Sequence, residues 1–312
     1  DGDAARLLRF DGAGAVTGTW LQPPPAIEGV IGEDFVFKPV RVGASPLGRV
    51  YVAAEGIYEG LMEYDADGAF TGFIGAPRVR PSALDVFWRW FGTRAQRARS
   101  GLFLPTEYTS LDLDARGFIW AVEKTTLKRL NPSGADVFVP KGFAPPKGDL
   151  PVANHAVEKP SLFTDLVVRE AGICSVLDLQ RGRIFTYDGV GNLLYVFGGI
   201  GLTRSLFQSP SAIAERDGRL YVVDRTLNRV MVFRPLPYAL AIHAAVAAYE
   251  AGRYDEATTR WRDVLARNVN NDLAYSGIGR ARLQEGRFAE AMDSFRLGND
   301  RVGWSEAWRL ER

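Results

Sequence analysis

Four carboxylates recur at the same place in four stretches of the chain. Glu55, Glu123, Asp178 and Asp224 each close a short apolar run that reads as a strand. Carboxylates gathered from several strands would make an oxygen-rich ring of the kind that binds Ca2+. The same acids have a plainer use, because a strand-end carboxylate accepts hydrogen bonds from the amides of the following loop. Lys124 and Arg225 stand beside two of them and favour local ion pairing. Other chemistry has little material. The chain holds two histidines, His155 and His243, and one cysteine, Cys174. That excludes an internal disulfide, a Cys-based zinc site and a His-rich metal centre. His155 lies in a Pro-rich loop and reads as solvated, while His243 lies in a helical stretch and reads as structural. Ser and Asp occur with no His paired to them, so a triad is unsupported. Gly198-Gly199-Ile200-Gly201 follows a strand without opening a helix and reads as a turn, not a phosphate cradle. No catalytic residue is assigned.

The acids must be held by repeated elements, and the repeats are visible. Phe10-Asp11, Tyr64-Asp65, Leu130-Asn131 and Tyr187-Asp188 each precede a glycine three residues beyond the acid or amide: Gly14, Gly68, Gly134 and Gly191. Asp or Asn bonding its own backbone, with Gly taking the positive φ, is hairpin-turn chemistry. A second turn recurs upstream of each later copy, at Gly48, Gly117, Gly172 and Gly218. Two turns join three strands and a fourth follows, as at Phe70–Ile74 and Leu193–Gly198. Four short strands per unit, repeated, predict the blades of a β-propeller. The 312 residues carry 38 Lys+Arg against 37 Asp+Glu, a balance that offers no basic field for nucleic acid. Composition also excludes disorder, collagen and coiled coil as the main state.

Pro210-Ser211-Ala212-Ile213, then Leu220-Tyr221-Val222-Val223-Asp224, then Asn228-Arg229-Val230-Met231-Val232-Phe233, resembles an NHL repeat. Looser copies run through residues 50–64, 119–130 and 173–187. The first unit, over residues 5–20, supplies two strands, and the last, before Pro235-Leu236-Pro237, lacks its fourth. The expectation is an NHL-type propeller of five to six blades over residues 1–237, its N-terminal part missing. Both ends read as cuts through a longer protein.

After Pro237 the apolar period changes from strand to helix. Gly252-x-Tyr254-x-Glu256-Ala257 recurs 34 residues later as Gly286-x-Phe288-x-Glu290-Ala291, and Trp261 pairs with Phe295 at the same offset. The motif and length resemble a tetratricopeptide (TPR) repeat, expected over residues 238–312. In that family the first helix of each repeat lines the concave face. The resemblance therefore implies a partner groove of Tyr249, Ser276, Arg280 and Leu283, facing a peptide, a helix or the chain's own strands.

Residues 78–105 interrupt the strand pattern. Leu84, Phe87, Trp88, Phe91 and Ala95 share one helical face. Trp90 lies about 200° from Trp88 on a helix of 3.6 residues per turn. Six arginines, Arg94 among them, oppose Asp85 alone. The bland expectation is a helix braced on the propeller rim. The functional one is a docking helix in which Trp88, Trp90, Phe91 and Arg94 meet a protein partner or an anionic membrane surface.

The whole resembles bacterial NHL-propeller proteins with a C-terminal TPR, on segments such as Glu55-Gly56-Ile57-Tyr58-Glu59-Gly60-Leu61 and Arg181-Gly182-Arg183-Ile184-Phe185-Thr186-Tyr187. Genes of that family often sit beside sugar-type ABC transporter components. The resemblance implies an extracytoplasmic, membrane-associated protein. Two architectures that commonly bind other molecules, joined with no visible catalytic set, give the expectation of a non-enzymatic scaffold without cofactor, partnered by proteins such as those of a membrane transporter complex. The alternative is a gluconolactonase-like propeller hydrolase using Ca2+, or a carbohydrate-binding module, with Glu55, Glu123, Asp178 and Asp224 as ligands.

Overall fold

The computed structural model describes residues 5–20, 36–75, 107–138, 147–149 and 159–312. The chain forms two compact units, 1–143 and 144–312. Both are built from antiparallel meanders, in which each strand pairs with its neighbour in sequence.

Among the described residues the first unit holds three sheets. β1 (Leu7–Phe10) pairs with β2 (Val16–Trp20). β3 (Pro39–Ala44), β4 (Val50–Ala54), β5 (Leu61–Tyr64) and β6 (Phe70–Ile74) form a four-stranded sheet. β7 (Ser110–Leu113), β8 (Ile119–Glu123) and β9 (Thr126–Leu130) form a three-stranded one. Every residue of β4 and of β8 is buried. In a strand successive side chains face opposite ways, so burial without alternation means that both faces of the sheet are covered. In β4, Val50, Val52 and Ala54 pack with Leu7, while Tyr51 and Ala53 pack with Leu111, Ile119 and Ala121. Sheets stacked face to face give this pattern.

The hairpin turns take the geometry that their residue types require. The side chains of Asp11, Asp65, Asn131 and Asp188 each accept from the amides two and four residues on. The glycine three residues on donates its amide to the same residue's carbonyl, with φ between 81° and 93°. Among the described residues the third sheet has three strands, and beyond them Asp136 bridges antiparallel to Leu130. After Gly134, the Asp136 carboxylate accepts from the Phe138 and Arg129 amides, and Phe138 turns in against Trp120, ring centroids 5.5 Å apart. The local bonding folds the chain back on its sheet.

The second unit contains β10 (Phe163–Val168), β11 (Cys174–Asp178), β12 (Arg183–Tyr187) and β13 (Leu193–Gly198), then β14 (Pro210–Arg216), β15 (Arg219–Asp224) and β16 (Arg229–Phe233). Leu177 and Ile184 pack against Ile213, Leu220, Val222 and Met231 of the next sheet. The buried Asp165 carboxylate bridges the two sheets by accepting from the Ile213 amide at 2.8 Å.

Five helices follow among the described residues: α1 (Pro237–Glu250), α2 (Tyr254–Leu265), α3 (Asp272–Gln284), α4 (Phe288–Leu297) and α5 (Arg301–Glu311). α1–α2 and α3–α4 are antiparallel hairpins whose parts repeat at 34 residues. Gly252 and Gly286 turn each hairpin with φ of 74° and 73°. Arg253 pairs with Glu256 as Arg287 pairs with Glu290. Ala257 and Ala291 are fully buried at the crossings. The helices join the sheet through one core, in which Ile173 and Leu194 pack with Ile242, Val246, Trp261 and Ile278. No helix among the described residues is long and apolar enough to cross a membrane.

Candidate functional site

The helical residues expected to line one groove do not all share a surface. Arg280, half-buried on α3, donates to the Asn192 side chain at 3.2 Å and lies 3.6 Å from Asp300. Asn192 belongs to the β12–β13 turn and also bonds the Asp188 carboxylate at 2.6 Å. Burial pushes the Asp188 carboxyl up, against the opposing effects of Asn192 and the Arg280 charge. Tyr249 packs its ring on Tyr254, centroids 5.5 Å apart, and its hydroxyl is pushed up chiefly by burial while Arg280 pulls it down. Tyr249 and Arg280 thus belong to one polar cluster at the junction of helices and sheet. Ser276 does not: it is buried and donates to the Gly298 carbonyl at 3.4 Å. Leu283 packs into the neighbouring core of Ala291, Phe295 and Ala307. The accessible part of this face is Arg280, Tyr249 and the exposed Gln284 at the end of α3.

The four strand-end acids sit in different surroundings. Asp224 is fully buried and accepts from the amides of Gln208 at 2.7 Å, Leu227 at 3.0 Å and Ser209 at 3.2 Å. Burial alone would raise its carboxyl, but the backbone donors outweigh it and hold it below the usual carboxylate range. Asp178, also fully buried, accepts through Oδ1 from Leu162, Gln180 and Arg181, and its Oδ2 has no hydrogen-bond partner among the described residues. Glu123 is buried against Lys128. Glu55 is exposed, and the adjacent Gly56 amide donates instead to Glu107 at 3.1 Å. Among the described residues no three His, Cys, Asp or Glu side chains converge as metal ligands would. Trp88, Trp90, Phe91, Arg94 and His155 lie outside the described residues.

His243 carries a contact that its position in a helix gave no reason to expect. Its Nε2 lies 2.6 Å from the Tyr195 hydroxyl, 48 residues away on β13, with the rings stacked at 5.7 Å. Arg169 donates to the same hydroxyl at 3.5 Å. Burial first, and the Arg169 charge second, push the imidazole down from 6.5 to about 4. The unfolded chain therefore takes up this proton first. Stability from neutral His243 is complete above pH 6.5 and is lost as pH falls through 4. Between pH 7 and 4.5 the native protein should lose about 2 kcal/mol more than the His243→Gln variant. Urea unfolding at both pH values measures this; parallel losses in the two proteins would remove His243 from the account.

No protein-family model matches the chain. No curated protein matches it either. Solved structures that resemble it include a protein of unknown function from Bacteroides caccae, at 12% identity over 74% of this chain and 69% of that one, with a TM-score of 0.40. Virginiamycin B lyase from Staphylococcus aureus matches at 13% identity over 64% of this chain and 56% of that one, with a TM-score of 0.36. BamB from Moraxella catarrhalis matches at 14% identity over 70% and 56%, with a TM-score of 0.33. The chain spans little more than half the length of the last two. Likeness at this level assigns no residue role or activity to this chain.

Proposed function

We propose that the chain is a non-enzymatic protein-interaction scaffold. In this reading its meanders are NHL-type propeller blades and its helical hairpins are TPR-like repeats. It acts outside the cytoplasm, in association with a membrane transporter complex, and the arginine-rich segment 78–105 faces an acidic protein or an anionic membrane surface. The observation that supports the reading most directly is the pair of helical hairpins. They repeat at 34 residues down to the Gly252 and Gly286 turns and the buried Ala257 and Ala291. Such hairpins stack as solenoids whose faces bind extended partners. Tyr249, Arg280 and Gln284 give that face aromatic, cationic and amide contacts.

A photo-crosslinking residue at Gln284, with Arg260 on α2 as the exposed control, tests this in membranes of the source organism. The expected result is one discrete adduct from position 284, absent from position 260, which mass spectrometry identifies as a transporter component. Identical labelling from both positions would sink the proposal.

A further inference from the structure

Where β13, β16 and the first turn of α1 meet, the second unit forms a half-open cavity of about 490 Å3. Its wall is aromatic. Tyr195, Phe197 and Phe233 border it, with centroids 6.4 Å apart for the first two and 5.4 Å apart for the last two. Small-molecule sites occupy about 300–1,000 Å3 and combine apolar walls with a few polar groups that fix orientation. The charged groups bordering this cavity are two guanidinium groups, Arg169 and Arg234.

Neither arginine forms an ion pair among the described residues. Arg169 is half-buried, and its one side-chain bond is the 3.5 Å contact to the Tyr195 hydroxyl. That hydroxyl is itself 2.6 Å from His243, so it can accept from Arg169 while donating to the imidazole, and it brings no negative charge. Arg234 is exposed at the end of β16, just before Pro235. An aromatic wall alone would take any apolar body. Two cations without carboxylate partners at its border select bodies that carry a negative head, because charge-assisted bonds to guanidinium are the stronger ones. Arginine also offers the planar fork that matches a carboxylate.

We propose that this cavity binds an amphipathic organic monoanion: a carboxylate on an apolar chain, its head at Arg169 and Arg234 and its body against Tyr195, Phe197 and Phe233. This goes beyond a scaffold role, since it gives the chain a small-molecule ligand at the root of its helical region. A free carboxylate and an acidic lipid headgroup share the chemistry that the arginines would read. The aromatic wall favours a free molecule, whose apolar body can lie along Tyr195, Phe197 and Phe233.

Titration calorimetry on the full chain tests the proposal, with decanoate, decanol and decyltrimethylammonium as probes. Decanoate should bind with one-to-one stoichiometry, and the alcohol and the cation should bind at least about tenfold more weakly. Arg234→Gln should weaken decanoate about tenfold and leave decanol unchanged. Because Arg234 is exposed, the thermal unfolding midpoint of this variant should match that of the native protein. Arg216→Gln is the control; Arg216 has a side chain 83% exposed beside Asp217 and should have no effect. Equal affinity for decanoate and decanol, or indifference to Arg234→Gln, would overturn the assignment. So would Arg234-dependent flotation with phosphatidylglycerol vesicles in the absence of decanoate binding, which would hand the arginines to a lipid surface.

Discussion

Asp224→Ala should lower the free energy of unfolding by about 3 kcal/mol, because it removes at once the charged acceptor shared by several backbone amides. The carboxylate is fully buried and accepts from Gln208, Ser209 and Leu227, which together fold the chain around the end of β15. Removing the acceptor takes one shared partner from three half-buried N–H groups at once. Asn is no rescue, since its NH2 would point a donor at donors. The pH dependence follows from the lowered carboxyl. Its contribution is complete above the ordinary carboxylate range and disappears as pH falls through the still lower folded value. That window lies below the one in which His243 acts. Glu55→Gln, the matching change at an exposed position, should stay within about 0.5 kcal/mol of the native protein. Urea unfolding of the two variants decides the matter. Equal losses would mean that the strand-end acids act as a set and not through their own hydrogen bonds.

Trp261→Ala should cost about 3–5 kcal/mol, as truncation of a large buried aromatic does. Trp261 is 4% exposed and sits in the core that α1, α2 and α3 share with Ile173 and Leu194 of the neighbouring sheet. α3 comes so close that a Cβ on Gly277 would fall 2.4 Å from the indole ring. Gly277→Ala therefore sets two effects against each other. Helix propensity favours Ala by about 1 kcal/mol. Overpacking against a ring with no room to retreat costs about 1–3 kcal/mol. The steric effect should win, and the variant should be less stable by about 1 kcal/mol. Hydrogen exchange would show amides of α1 and α3 opening sooner in both variants. A stabilised Gly277→Ala would mean that the helices have slack at this crossing.

What the sequence discloses follows the range of the forces. The turns at Asp11, Asp65, Asn131 and Asp188 are legible because donor and acceptor lie within four residues. The helical hairpins are legible because Gly252 and Gly286, and Ala257 and Ala291, repeat at one interval in the chain. Contacts across the fold are not. Arg280 finds Asn192 across 88 residues, and no local pattern at either position announces it. Glu55 and Asp224 occupy one slot in the repeat, yet one is exposed and the other fully buried. The aromatic cavity is assembled from three strands, three loops and a helix, so its lining is scattered over some seventy positions of sequence.

Among the described residues β16 pairs on one side only, with β15. Its free edge is an open row of backbone donors and acceptors, flanked by Val230 and Val232, which are 57% and 50% exposed. Such an edge invites a second copy to extend the sheet. The residues at its end oppose that. Arg234 follows the strand and is exposed, so two copies aligned antiparallel would place a solvated guanidinium at each end of the new pair. Pro235 then removes the next amide donor. Arg234, which borders the aromatic cavity, thus has a second effect at the sheet margin, discouraging self-association of the newly folded chain.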